Sequence, residues 1–200
     1  MRRELQPTKS YEAPFVSFPQ NPRLIELDGF SVLDYISPEY MNLRIRDLSS
    51  RIKLDDFDRV VVNAKGGWFL YYELARLQLP RQRPIEVVYR RPPQAYGAIV
   101  DNPIPSALRE KRLLIVEDIL DSGGVLETMM RDAPNSTCLV AVKKRNIPNQ
   151  IQVANSFACI ETDNLWLGGC GMDFGNESYS ENFPRSHPGI VVMPESLIKS

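Results

Sequence analysis

Four short aliphatic runs, "RVVVN", "IEVVYR", "LLIVED" and "CLVAVKK", constrain this chain more than any other feature. Runs so short and so rich in valine and isoleucine read as strands buried on both faces, and strands of that kind belong to parallel sheets. Parallel neighbours need long crossovers, and helical segments stand where they are required. "WFLYYELARLQL" follows the first run and is stopped by Pro80, while Gly124 to Arg131 follows the third. Ahead of them all, "SPEYMNLRIRDLSSRI" has Ser37 as N-cap and Pro38 at the first helical position. Met41, Ile45, Leu48 and Ile52 then repeat at helical spacing. The pattern predicts an α/β fold: a central, mostly parallel sheet flanked by helices, with a small hood from the terminal segments.

The flanks are less regular. Residues 1–36, with five aromatics and four prolines before position 36, read as an irregular arm, a hood or a partner contact. Residues 37–156 form the expected core, and 157–200 the rest of the hood and a tail, with one or two short strands between Phe157 and Trp166. The proline-rich stretch 92–105 reads as loop, with a short strand at "GAIV".

Composition removes several function classes. A net charge of -1 gives no global field for nucleic acid. One histidine excludes a histidine-rich metal site, and Cys138, Cys159 and Cys170 lack metal-ligand spacing. With no long apolar run and no secretory leader pattern, the expectation is a cytoplasmic protein without a membrane partner.

The third run continues as "LLIVEDILDSGGV", residues 113–125. In a parallel sheet the ligand lies beyond the carboxyl ends of the strands. There Glu117 and Asp118 are followed by a turn, Asp121 to Val125, that opens a helix. Backbone N–H groups and the Ser122 hydroxyl surround one point at that helix N-terminus, and Gly123 and Gly124 let the backbone approach closely. Such a cradle suits a phosphate. Carboxylates repel phosphate, so the two acids need sugar hydroxyls or Mg²⁺. Phosphate, polyol and metal held side by side describe a sugar phosphate.

On these thirteen residues the chain resembles the type I phosphoribosyltransferases, and within them the hypoxanthine–guanine enzymes. The resemblance implies that Glu117 and Asp118 face the ribose hydroxyls of phosphoribosyl pyrophosphate (PRPP). It implies that residues 121–125, with Ser122, Gly123, Gly124 and Val125, hold the 5'-phosphate, and that Asp121 handles the proton at purine N7. Val125 stands where the family often has threonine, so one hydroxyl contact is lost. Three further segments match. "VVVNAKGGWF" resembles the pyrophosphate loop, giving roles to Lys65 and Gly66 and an expected cis peptide at Ala64–Lys65. "LVAVKK" resembles the strand whose lysine donates to the purine 6-oxo group; Lys143 is aligned with it, and Lys144 is the one-residue slip. "LWLGGCGMDFG" resembles the purine-pocket strand: Trp166 would stack on the base, the Leu167 backbone would read its edge, and Asp173 would join Glu117 and Asp118 around the metal. Beyond it Arg185 is the candidate pyrophosphate arginine, and His187 packs or caps locally. The Ser-Tyr pair of the family's lid is missing, and "YRRPPQAYG" stands there, with Tyr96, Arg90 and Arg91 as candidates to cover the leaving group.

The implied activity is Mg²⁺-dependent transfer of phosphoribose from PRPP to a 6-oxopurine in purine salvage. Hypoxanthine or guanine is the expected acceptor and xanthine a further candidate, in a dimer or tetramer. Two rivals remain: transfer to adenine or a non-purine base, and a non-catalytic PRPP or nucleotide sensor. A cationic lysine favours a 6-oxo group over an amino group, which argues against adenine.

Overall fold

The structure is a computed structural model and describes residues 12–27, 29–91, 98–153, 155–173 and 185–194. Its elements run β1 (Phe15–Val16), β2 (Arg23–Leu27), β3 (Phe30–Ile36), α1 (Pro38–Arg51), β4 (Arg59–Asn63), α2 (Gly67–Gln78), β5 (Ile85–Arg90) and β6 (Ile99–Asn102). There follow β7 (Leu113–Leu120), α3 (Gly124–Asp132), β8 (Thr137–Lys144), β9 (Ser156–Thr162), β10 (Leu167–Gly168) and β11 (Ile190–Val192). Seven strands form one sheet in the order β1-β9-β8-β7-β4-β5-β6. Its pairs are parallel except β5 with β6, which are antiparallel. The sheet and its flanking helices match the expected α/β class.

Each helix has a local cause. The Ser37 hydroxyl accepts from the Tyr40 N–H at 3.3 Å, Pro38 opens α1, and Met41, Ile45 and Leu48 turn inward. α2 ends where Leu79 adopts a left-handed conformation (φ 49°) ahead of Pro80. α1 and α2 cover one face of the sheet, where Ile45, Leu48, Leu70 and Leu74 pack on Leu114 and Val116. α3 covers the other, with Leu126 and Met129 against Val61, Ile115 and Val140. Both crossovers therefore bury an apolar stripe against a strand pair that is itself apolar on two sides.

A second, antiparallel sheet in the order β10-β11-β3-β2 is the hood. Of the alternatives for residues 1–36 the structure takes the hood: β2 and β3 lie in it, while β1 joins the large sheet. It corrects the start of the hood, because Phe157 to Thr162 lie in β9 of the large sheet, parallel to β8. All three cysteines are free and buried. Among the described residues no helix is long and apolar enough to cross a membrane.

Candidate functional site

The carboxyl end of β7 differs on its two sides. Toward β4 the ladder stops at Val62 with Val116, whereas toward β8 it runs on to Leu120 with Lys143. Glu117 and Asp118 were expected at the carboxyl end of this strand; β7 runs two residues past them, and they lie where β4 has ended and only β8 pairs with β7. The opening on the β4 side is therefore lined by acid on a rigid strand.

Glu117 is buried. One of its oxygens accepts from Asn63 Nδ2 and the other from the Asp118 N–H at 2.9 Å. Asn63, the last residue of β4, also donates to the Tyr89 carbonyl and accepts from the Tyr89 N–H, each at 2.7 Å. It thus joins β4, β5 and β7 beneath the site. Burial first, then the charge of Asp118, pushes the Glu117 carboxyl well above its ordinary value. Burial also raises Asp118, against the opposing pull of its hydrogen bond with Glu117 and of Arg185. Two adjacent acids, one buried and one half-buried, call for a cation or hydroxyl donors.

Opposite them, the Ala64–Lys65 peptide is cis, as expected, and Lys65 is exposed. A Cβ at Gly66 would overlap the Asp118 carboxylate. The glycine is what lets this loop lie against the acids.

Asp121, Ser122 and Gly123 form the turn into α3. Gly123 has φ 91°, and a Cβ there would press on Ile151. α3 starts with no side-chain cap at Gly123, so its first amides face the turn. Gly124 opens the helix and is buried, Val125 is half-buried, and Ser122 accepts at its carbonyl from the Ile151 N–H at 2.8 Å. Gln150 braces the turn by donating to the carbonyls of Asp121 (2.7 Å) and Lys144 (2.9 Å).

The two lysines of β8 part company here. Lys143 pairs with Glu161 at 3.1 Å, on the side where Arg145 also meets Glu161. Lys144 lies with its side chain only 9% exposed and its Nζ 3.5 Å from Asp121 Oδ2. Alternation along a strand sends neighbours to opposite faces, and the pairing with Asp121 puts Lys144 on the side of the turn into α3. Of the two lysines the sequence offered, Lys144 is the one that meets Asp121, while Lys143 meets Glu161. Burial lowers the Lys144 ammonium below its ordinary value, and the charge of Asp121 works against that shift. Arg91 reaches the same Asp121 oxygen at 3.4 Å, while Arg90 turns to Asp101 at 2.7 Å. Tyr96 lies outside the described residues.

The hood closes the site from above. A Cβ at Gly171 (φ 96°) would overlap the Gly66 carbonyl, so the turn after β10 rests on the loop between β4 and α2. Arg185 donates to the Gly171 carbonyl at 2.5 Å and pairs with Asp173. Its charge and that of Asp173 both act on Asp118, which brings the three together. The Arg185 Nε is buried without an acceptor among the described residues, as suits an anion that arrives later. Leu167 is buried and pairs with Val192 in the hood, and Trp166 beside it is 51% exposed, so its ring is not core. His187 packs locally, its carbonyl accepting from the Cys170 N–H at 2.7 Å.

No protein-family model matches the sequence, and no curated protein matches it. Solved structures do match. A hypoxanthine phosphoribosyltransferase from Trypanosoma cruzi, bound to its product IMP, superposes with a TM-score of 0.65 at 17% identity, over 86% of this chain and 99% of that one. A hypoxanthine phosphoribosyltransferase from Staphylococcus aureus gives 0.63 at 15% identity, over 82% and 92%. A hypoxanthine-guanine phosphoribosyltransferase from Bacillus anthracis gives 0.61 at 17%, over 86% and 98%. The fold is that of the phosphoribosyltransferases.

On a phosphoribosyltransferase fold, the residues invisible to sequence reasoning are Asn63 and Gln150. Each is a lone amide whose partners lie on other strands and loops, so no local spacing marks it. The metal expectation requires a distinction. Among the described residues no group of three or more His, Cys, Asp or Glu could hold a metal ion by itself. Glu117 accepts one hydrogen bond at each oxygen, which fixes its orientation and leaves a further lone pair on each. Asp118, half-buried and raised, and Asp173 nearby are suited to Mg²⁺ that arrives with phosphate oxygens and water, its ordinary mode of binding. The residues fit a substrate-borne ion.

Proposed function

We propose that the chain transfers the 5-phosphoribosyl group of PRPP to a 6-oxopurine, hypoxanthine or guanine with xanthine as a third acceptor, releasing pyrophosphate. The observation that carries this reading is the pairing of Lys144 with Asp121 on the same strand end as the buried Glu117 and the half-buried Asp118. A donor for a carbonyl and an acceptor for a ring proton sit one turn away from acids suited to ribose hydroxyls.

In this reading the amides of 122–125 hold the 5'-phosphate, and Gly66, Lys65 and Arg185 receive the pyrophosphate. Asp121 takes the proton from purine N7 while Lys144 donates to the 6-oxo oxygen. Trp166 lies flat on the base, and the Leu167 backbone reads its outer edge. Mg²⁺, held by Asp118 and Asp173 with the substrate's oxygens, would neutralise charge on the leaving group. The fixed carboxylates help the sugar as positive charge develops at C1. Docking of the hood on the Gly66 loop keeps water from that carbon.

The test is direct. The protein is incubated with PRPP and Mg²⁺, and hypoxanthine, guanine, xanthine and adenine are offered separately. Formation of the 6-oxopurine mononucleotides with pyrophosphate is the expected result. Adenine as the preferred acceptor, or PRPP binding without any product, would overturn the proposal.

A further inference from the structure

The base end of this site carries more positive charge than reading one oxo group requires. Lys144 Nζ and Arg91 Nη1 approach the same oxygen of Asp121, at 3.5 and 3.4 Å. They come from different strands, β8 and the residue just after β5. They lie close enough that the Arg91 charge adds to burial in lowering the Lys144 ammonium. Two cations and one carboxylate leave one net positive charge where the ribose end, by contrast, is acidic. Anchoring the strand end does not explain Arg91, since Arg90 already does so through Asp101. Its side chain is 65% exposed and extends across the site, where little packing depends on it.

On the reading of the site given above, we propose that Arg91 is a specificity-determining residue that favours bases entering as anions. The ligand class is an oxo-rich purine that loses a ring proton near neutrality. Xanthine belongs to it, and hypoxanthine, which stays neutral there, does not. With Lys144 alone the pair with Asp121 is neutral; the guanidinium of Arg91 adds the second positive charge that outweighs the carboxylate's repulsion of such an anion. Because Arg91 is largely exposed, its influence is screened by salt.

The experiment compares specificity constants for xanthine and hypoxanthine in wild type, Arg91→Ala and Arg91→Lys, at low and high ionic strength. In Arg91→Ala the ratio of xanthine to hypoxanthine use should fall about tenfold, consistent with loss of one exposed charge pair. Arg91→Lys should keep most of the ratio. Added salt should lower the ratio in wild type and leave it unchanged in Arg91→Ala. An equal loss for both bases would assign Arg91 to positioning, and a rise for both would make it an obstruction; either result overturns the inference. Calorimetry with Mg²⁺ and PRPP separates the two levels. A protein that binds PRPP and makes mononucleotide with an unaltered ratio refutes only the role of Arg91, whereas one that neither binds nor turns over refutes the transferase reading and this inference together.

Discussion

The acid pair on β7 places a cost on the ligand-free protein, and that cost has a sign. Glu117 and Asp118 both have folded-state values above their ordinary ones, with burial the largest cause. An acid of that kind holds its proton in the folded state at a pH where the unfolded chain has already lost it. Stability is therefore greatest below the unfolded value, near pH 4, and declines as pH rises toward the raised folded value. The ligand-free protein should lose stability across that window, and Mg²⁺ with PRPP should restore it. The double variant Glu117→Gln, Asp118→Asn should flatten this slope in denaturant titrations and lose PRPP affinity while keeping its circular dichroism. A variant that still binds PRPP as wild type does would remove the pair from the site. The lysines provide a second residue-scale test. Lys144→Met should reduce specificity constants for hypoxanthine and guanine about ten- to hundredfold, the range expected for an unpaired buried carbonyl. Lys143→Met, on the Glu161 side, should change them less than about threefold. Nothing local in "VKKR" reports which acid each lysine meets; the ion pairs of Lys143 with Glu161 and of Lys144 with Asp121 do.

At the scale of elements, the crossovers were legible because each has an autonomous signal. Ser37 and Pro38 start α1 and Pro80 follows the end of α2, while the aliphatic runs mark β4, β5, β7 and β8. Ser37→Ala should cost about 0.5–2 kcal/mol of stability and leave PRPP affinity unaltered, measured by urea unfolding and calorimetry. The hood strands were not legible for a physical reason. β2 and β3 have one face toward solvent, so "RLIEL" and "FSVLDYI" mix exposed and buried positions without a long apolar run. β10 and β11 contain two and three residues, too few for any period to show. The cis peptide at Ala64–Lys65 was legible from the resemblance, but the contact of Gly66 with the Asp118 carboxylate was not, because that acid comes from another strand. Gly66→Ala tests that contact: the methyl would displace Asp118, and PRPP affinity should fall at least about tenfold with α2 intact by circular dichroism. Unchanged affinity would mean that the loop and the acids act separately.

For the whole molecule, the functional parts meet only because two sheets lean on each other at glycine. Gly171 of the hood lies against the Gly66 carbonyl of the core. A side chain there must both adopt a left-handed backbone and push the layers apart. Gly171→Ala should leave the large sheet folded yet speed proteolytic cleavage of the hood, with weaker binding of both PRPP and base. The hood has a further property, set by where its strands lie along the chain. Its central pair joins β3 to β11, Ile36 opposite Ile190, so nearly the whole core lies between two strands that must find each other. On the ribosome, β3 is made early and waits, its edge unpaired, until the last part of the core has emerged. The large sheet can form in the interval, since its final strand ends at Thr162. Synthesis thus yields a folded core before it yields a covered pocket, and the nascent chain passes through a stage with an exposed strand edge and no closed site. A released chain truncated shortly after Thr162 should resist protease in the large sheet, remain sensitive in β2 and β3, and fail to retain PRPP.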